Sequence, residues 1–292
     1  MTASFTSSSA PTKPRLPTLD VQARPDDRGI ALQQAGIRGV ELPWAFCDQP
    51  QTPSQPIALR LDLTVGLPSA TKGAHMSRFV RCANQWRTQK PFALNQLPLY
   101  LADLSQALES SAVQLAGHFT WFMDKPAPVS QHSAPMGYAI GVNAQLNQGL
   151  LTTHLTLAIP IATLCPCSKE ISDYGAHNQR AFLTVTLDIA AEALDSVFLT
   201  QLIPALEATA SCPVFPILKR EDEKWVTERQ YDNPKFVEDV ARDAVLVLQR
   251  QSGFNGFCVS VEALESIHAH NAYAQTAMGS LANTGLWQGY RA

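Results

Sequence analysis

Between Ile57 and Leu67 the odd positions are all apolar, Ile57, Leu59, Leu61, Leu63, Val65 and Leu67, while the even ones include Arg60, Asp62 and Thr64. A side-chain repeat of two residues is that of a strand with one buried face and one wet face. The alternation commits the chain to a sheet, and it keeps returning. It recurs over residues 115–123 through Phe119 and Trp121, and more loosely over 138–146. In the second half Leu151, Thr153, Leu155, Leu157, Ile159 and Ile161 alternate, then Leu183, Val185, Leu187 and Ile189, then Phe257, Val259 and Val261.

Between these strands the period changes. Met76, Phe79, Val80 and Ala83 recur at helical spacing, as do Leu97, Leu101, Leu104 and Leu108 after Pro91 and Pro98. A helix is predicted over 195–210. Another is predicted from Asn233 to about Arg250, with Asn233 as N-cap, Pro234 at its first position, and Phe236, Val237, Val240, Ala244, Val245 and Leu248 inward. With a short strand near Val40, each half reads strand, strand, helix, helix, strand and usually strand. That is an α+β duplication without sequence repetition, with helices on one face of antiparallel sheets. The expected division is a Ser-, Thr- and Pro-rich tail over 1–18, a first unit over 19–148 and a second over 149–292. Open sheet edges favour oligomerisation.

The chain's 292 residues are about twice a domain of roughly 150. Hydrophobic residues make up 46% and charged residues 16%, which excludes wholesale disorder. Twenty-two basic against 25 acidic residues give a net charge of −3, too weak a field for gripping nucleic acid. No apolar run is long enough to span a bilayer and no secretory signal opens the chain, so no membrane partner and a cytoplasmic location are expected. Six cysteines are too sparse for a disulfide scaffold, and reduced thiols are expected.

The densest polar stretch lies between two strands, over residues 164–180. Its C-P-C-x9-H spacing can bring a sulfur and an imidazole to one metal ion across a loop, although a buried thiol pair beside a capping histidine has the same spacing. A further ligand would be a carboxylate or imidazole: Glu221, Asp222 and Glu223, Glu238 and Asp239, or Glu262, Glu265, His268 and His270. Glu238 stands out, because it sits near the start of an apolar helix, where the dipole favours an anion. His268 and His270 share one side of an extended segment and could form a ligand or acid/base pair. Lys72, His75 and Arg78 stand at a helix start, a phosphate cradle in type.

These segments together resemble the type IB GTP cyclohydrolase family. The motifs are D-V-Q over 20–22, K-G-A-H-M-S-R-F over 72–79, C-P-C-S-K-E-I-S-D-Y-G-A-H-N-Q-R over 165–180, L-K-R-E-D-E-K-W-V-T-E over 218–228, N-P-K-F-V-E-D over 233–239 and E-S-I-H-A-H-N-A-Y-A over 265–274. The resemblance implies tandem tunnelling-fold units that assemble by edge pairing into a barrel, a homotetramer, and active sites at subunit interfaces. It implies one divalent metal ion per subunit, Zn, Mn or Fe, held by Cys165, His177 and Glu223. Glu238 would hold the guanine edge of GTP and His268 would donate and accept the proton, with Cys165 also counted as catalytic. Lys72, His75, Arg78 and Arg180 would face substrate. Ala74 stands where the family usually has Thr. The implied reaction converts GTP and water to 7,8-dihydroneopterin triphosphate and formate, opening tetrahydrofolate biosynthesis. The alternatives are a related deazaguanine nitrile reductase and a non-catalytic metal-binding scaffold.

Overall fold

The structure, a computed structural model, describes residue 22 and residues 25–282. The expected tail and most of the D-V-Q motif lie outside the described residues.

Alternation becomes strand where it was expected, and each strand is longer than its apolar signal. The first half runs β1 (Leu32–Phe46), β2 (Gln55–Leu67), α1 (Met76–Gln89), α2 (Leu97–Leu108), β3 (Ala112–Pro126) and β4 (Ser133–Asn147). The second runs β5 (Leu150–Leu164), α3 (Pro166–Ile171), β6 (Asn178–Ile189), α4 (Leu199–Glu207), β7 (Cys212–Pro213), α5 (Arg220–Asp232), α6 (Val237–Gln249), β8 (Phe254–Ala263) and β9 (Ala272–Gly279). All pair antiparallel in one nine-stranded sheet in the order β1-β2-β3-β4-β5-β6-β8-β9, with β7 beside β5. The short strand expected near Val40 is the full edge strand β1. Its signal is broken because the register with β2 shifts between Ile37 and Val40, where Gly39 adopts φ +71° and its amide donates to Asp62 Oδ1 at 2.6 Å.

The two halves share this sheet. β4 and β5 meet in a hairpin whose turn residues, Gln148 and Gly149, have φ of 48° and 85°. Positive φ at both central positions is the turn that matches strand twist. The core lies between the sheet and the helices: Leu59, Leu61, Leu63, Leu115, Leu157, Ile161, Leu183, Val185, Val259 and Val261 are fully buried against Phe79, Leu101, Leu104, Ile203 and Val240.

The structure corrects several helix expectations. α1 buries Phe79, Cys82, Ala83 and Trp86, leaving Met76 and Val80 exposed. The helix expected over 195–210 covers only Leu199–Glu207, with Pro204 inside it. Asn233 does not cap α6. It ends α5, donating its side-chain amide to the carbonyls of Ala210 and Ser211 at 2.9 and 3.1 Å. α6 starts at Val237, because the Asp239 carboxylate accepts from the Phe236 amide at 3.0 Å.

Candidate active site

β5 and β6 pair from Thr153↔Ile189 to Leu164↔Asn178. The ladder then gains one rung, because the Cys165 amide donates to the His177 carbonyl at 3.1 Å. Cys165 therefore stands opposite His177, and Thr163 opposite Gln179. Alternation puts all four side chains on one face of the sheet, and opposite residues have Cβ atoms about 4.5–5.5 Å apart. The loop of residues 166–176 leaves the sheet as α3 and returns into β6, so a spacing ambiguous in sequence becomes a cross-strand pair. The amide of Ser168 points at Cys165 Sγ at 3.4 Å, and Ser168 Oγ accepts from the His177 amide at 3.2 Å, pinning the loop over its own base.

A cavity of about 400 Å³ opens here, lined by Cys165, His177, Gln179, Phe236, Glu238, Glu265, His268, His270 and Tyr273 among others. Lys235 anchors its helical wall, its amide donating to the Leu164 carbonyl at 3.1 Å and its ammonium to Thr209 O and Asp243 Oδ2, each at 2.7 Å. The start of α6 is thus tied to the end of β5, and Glu238 comes to the cavity from the first helical turn. Phe236, expected inward, is 40% exposed and lines the cavity instead. On the far side the β8–β9 connection supplies Glu265 and the imidazoles of His268 and His270. These are stacked with centroids 5.3 Å apart and planes at 19°.

Other expected residues lie elsewhere. Glu223 is exposed on the first turn of α5 and does not line this cavity. Among the described residues no group of three His, Cys, Asp or Glu stands ready to hold a metal. Cys165 and His177 nevertheless supply the sulfur and nitrogen that a borderline divalent ion takes, with two carboxylates in the same cavity, so on donor chemistry the residues fit such an ion. Cys167 is exposed and outside the cavity lining. Arg180 lies on the opposite sheet face from its neighbour Gln179 and is exposed.

Lys72, His75 and Arg78 are more distant still. His75 is the N-cap residue of α1, and Arg78 donates to the Ala107 carbonyl at 3.0 Å, close to the start of β3. That end of the sheet carries the β4–β5 turn, because Ala112 pairs with Asn147. The cavity is at the other end of β5, a strand of 15 residues, about 50 Å long at 3.3 Å per residue. One nucleotide in one chain cannot touch both.

Sequence reading missed Gln179, Phe236 and Tyr273 in the cavity wall. Gln179 could have been found, since it lies two residues beyond His177 at the start of a strand and so on the same face.

A family model described as type I GTP cyclohydrolase folE2 matches residues 18–274. The GTP cyclohydrolase FolE2 of Janthinobacterium sp. (strain Marseille) is 40% identical over 255 residues, covering 87% of this chain and 92% of the relative. That of Fervidobacterium nodosum is 41% identical over 256 residues, covering 87% and 95%. In three dimensions the chain is similar to a uricase from Arthrobacter globiformis, with a TM-score of 0.50 and 7% identity over 89% of this chain and 95% of the other, a likeness of fold alone. The fold is accordingly the α+β tunnelling type.

Proposed function

The chain belongs to the type I GTP cyclohydrolase family, and from that membership we propose that it converts GTP and water to 7,8-dihydroneopterin triphosphate and formate, the entry to tetrahydrofolate biosynthesis. The observation that carries the reading at this site is the facing pair Cys165 and His177 on the wall of a cavity that also holds Glu238 and the His268–His270 pair.

In this reading Cys165 and His177 hold one divalent ion, with Glu223 as third donor. Bound there, the ion supplies a water acidic enough to attack the purine near neutral pH. Glu238 accepts the two N–H donors on one edge of guanine. Adenine lacks that pair and would leave the carboxylate unsatisfied, which makes the site selective. His268 gives a proton to the ring nitrogen as the imidazole ring opens and takes one back in the later steps. Glu223 sits outside the cavity, so completing the donor set requires movement of the α5 start or an approach by another chain.

Lys72, His75 and Arg78 as triphosphate contacts require a second chain, in keeping with a homo-oligomer, a tetramer in the family's manner, while Arg180, beside Gln179 but on the other sheet face, is kept as a further substrate contact. The two tunnelling-fold units divide at the β4–β5 turn, between residues 148 and 149. No helix among the described residues is long and apolar enough to cross a membrane.

Formate release from GTP without reductant tests the activity. Loss on chelation, with return on adding Zn, Mn or Fe singly, tests the metal and ranks the ions. NADPH consumption with no metal requirement would favour nitrile reduction, and one bound ion with no GTP turnover would favour a scaffold.

A further inference from the structure

Gln179 is the most completely bonded side chain at the cavity wall. Its Nε2 donates to Thr163 Oγ1 and to Glu265 Oε1, each at 3.2 Å, and its Oε1 stands 3.0 Å from His177 Nδ1. Thr163, its cross-strand partner, is 1% exposed, so the amide is held on a rigid part of the sheet.

The orientation of the amide follows from its neighbours. A carboxylate only accepts hydrogen bonds, so the group facing Glu265 must be the NH2, and the carbonyl must face His177. A carbonyl only accepts as well, so His177 Nδ1 must carry the hydrogen. Ser266 Oγ, 3.4 Å from the same nitrogen, is then a secondary acceptor. With the proton on Nδ1, the neutral imidazole has its lone pair on Nε2, the form in which histidine ligates a metal.

We propose that Gln179 is a positioning residue that locks His177 as the Nδ1–H tautomer and ties that imidazole to the Glu265 carboxylate. The proposal rests on the reading of Cys165 and His177 as metal donors and deepens it. A hydrogen-bond acceptor behind a ligating imidazole fixes its ring and raises its basicity, and losing one typically lowers metal affinity about 10- to 100-fold.

The test uses the full chain stripped of metal and reloaded with zinc alone, with affinity read by competition against a chromophoric chelator and folding by thermal melt. Gln179→Met keeps the length and removes every hydrogen bond; zinc binding is expected to weaken about 10- to 100-fold. Gln179→Glu combined with Glu265→Gln keeps an acceptor for Nδ1–H and a donor between the two side chains, and is expected to recover most of that affinity. Zinc held by Gln179→Met as tightly as by the unaltered chain overturns the proposal. So does a Gln179→Glu/Glu265→Gln chain as weak as Gln179→Met, because the loss would then be one of packing. Should Gln179→Met not fold, Gln179→Asn, which withdraws the amide by one methylene, reads the same loss. If the unaltered chain takes up no zinc, or Cys165→Ala takes up as much, the metal reading itself fails, an outcome these variants keep separate.

Discussion

At the scale of single residues, the site's chemistry depends on which groups can reach one another. If Glu238 holds the guanine edge as proposed, Glu238→Ala removes an acceptor for two donors on the base, each such charged bond contributing about 1.5–3 kcal/mol. GTP affinity is expected to fall at least tenfold while bound metal stays constant, as titration of both ligands would read; unchanged affinity would remove Glu238 from guanine recognition. His268→Ala should keep metal and GTP and lose about 10²- to 10⁴-fold in turnover. A steady-state rate equal to that of the unaltered chain would show that the proton moves through another group, for which the stacked His270 is placed. That Cys165 and His177 come together was legible in the sequence because the C-P-C-x9-H spacing is a local property. Phe236 was not, since an aromatic at helical spacing reads as core until the helix start is known, and that start is set by Asp239.

At the scale of elements, α5 is the clearest departure from what sequence periodicity could give. Its sequence, REDEKWVTERQYD, has no apolar stripe, and the residues it buries are Asp222 and Gln230. Asp222 accepts from the Val129 and Ser130 amides at 2.8 and 2.9 Å, from Ser130 Oγ at 2.6 Å and from the Lys219 amide at 2.9 Å. It latches the α5 start to the β3–β4 hairpin of the other half. Burial pushes the carboxyl up, but donation from Ser130, Lys219 and Val129 outweighs it and holds the pKa far below the ordinary range. In the window between that lowered value and about 3.9, the unfolded chain binds the extra proton, so stability rises with pH there. The latch's contribution to stability should therefore be complete above about pH 4 and shrink progressively below it. Asp222→Asn should flatten this acid limb in a melting-temperature profile; an unaltered limb would place the acid sensitivity elsewhere.

A second polar tie is buried where β3 meets α4. Lys125 Nζ lies 2.6 Å from Glu207 Oε1, which also accepts from Tyr138 Oη at 2.9 Å, and the ammonium stands 4.9 Å from the Phe215 ring centroid. Burial lowers the Lys125 pKa, and Glu207 opposes that. Removing one partner leaves a buried charge, so Lys125→Met should cost about 3–5 kcal/mol in denaturant unfolding, and adding Glu207→Leu should recover much of it. A double variant as weak as the single would contradict this account.

For the whole molecule, strand alternation and the order of elements were enough to expect one α+β architecture in two like halves, because a buried sheet face imposes its period on every strand. What sequence could not supply was the placement of motifs along the strands. The family resemblance implies that Lys72, His75 and Arg78 face substrate, yet they occupy the opposite end of the sheet from the cavity. If two chains share each site, Arg78→Ala and His268→Ala should each be nearly inactive alone. After dissociation and reassembly together they should produce formate at a rate neither gives separately. A mixture no more active than its parents would assign the basic cluster to a structural role.

The two-residue turn between β4 and β5 carries a last implication. Strands hydrogen-bonded on both sides of so tight a corner leave no slack for a hinge, so the halves cannot swing apart to admit a nucleotide. Entry and exit then depend on the short segment bearing His268 and His270, a part of the cavity wall that no strand ladder holds. Turnover would be throttled by the breathing of that segment.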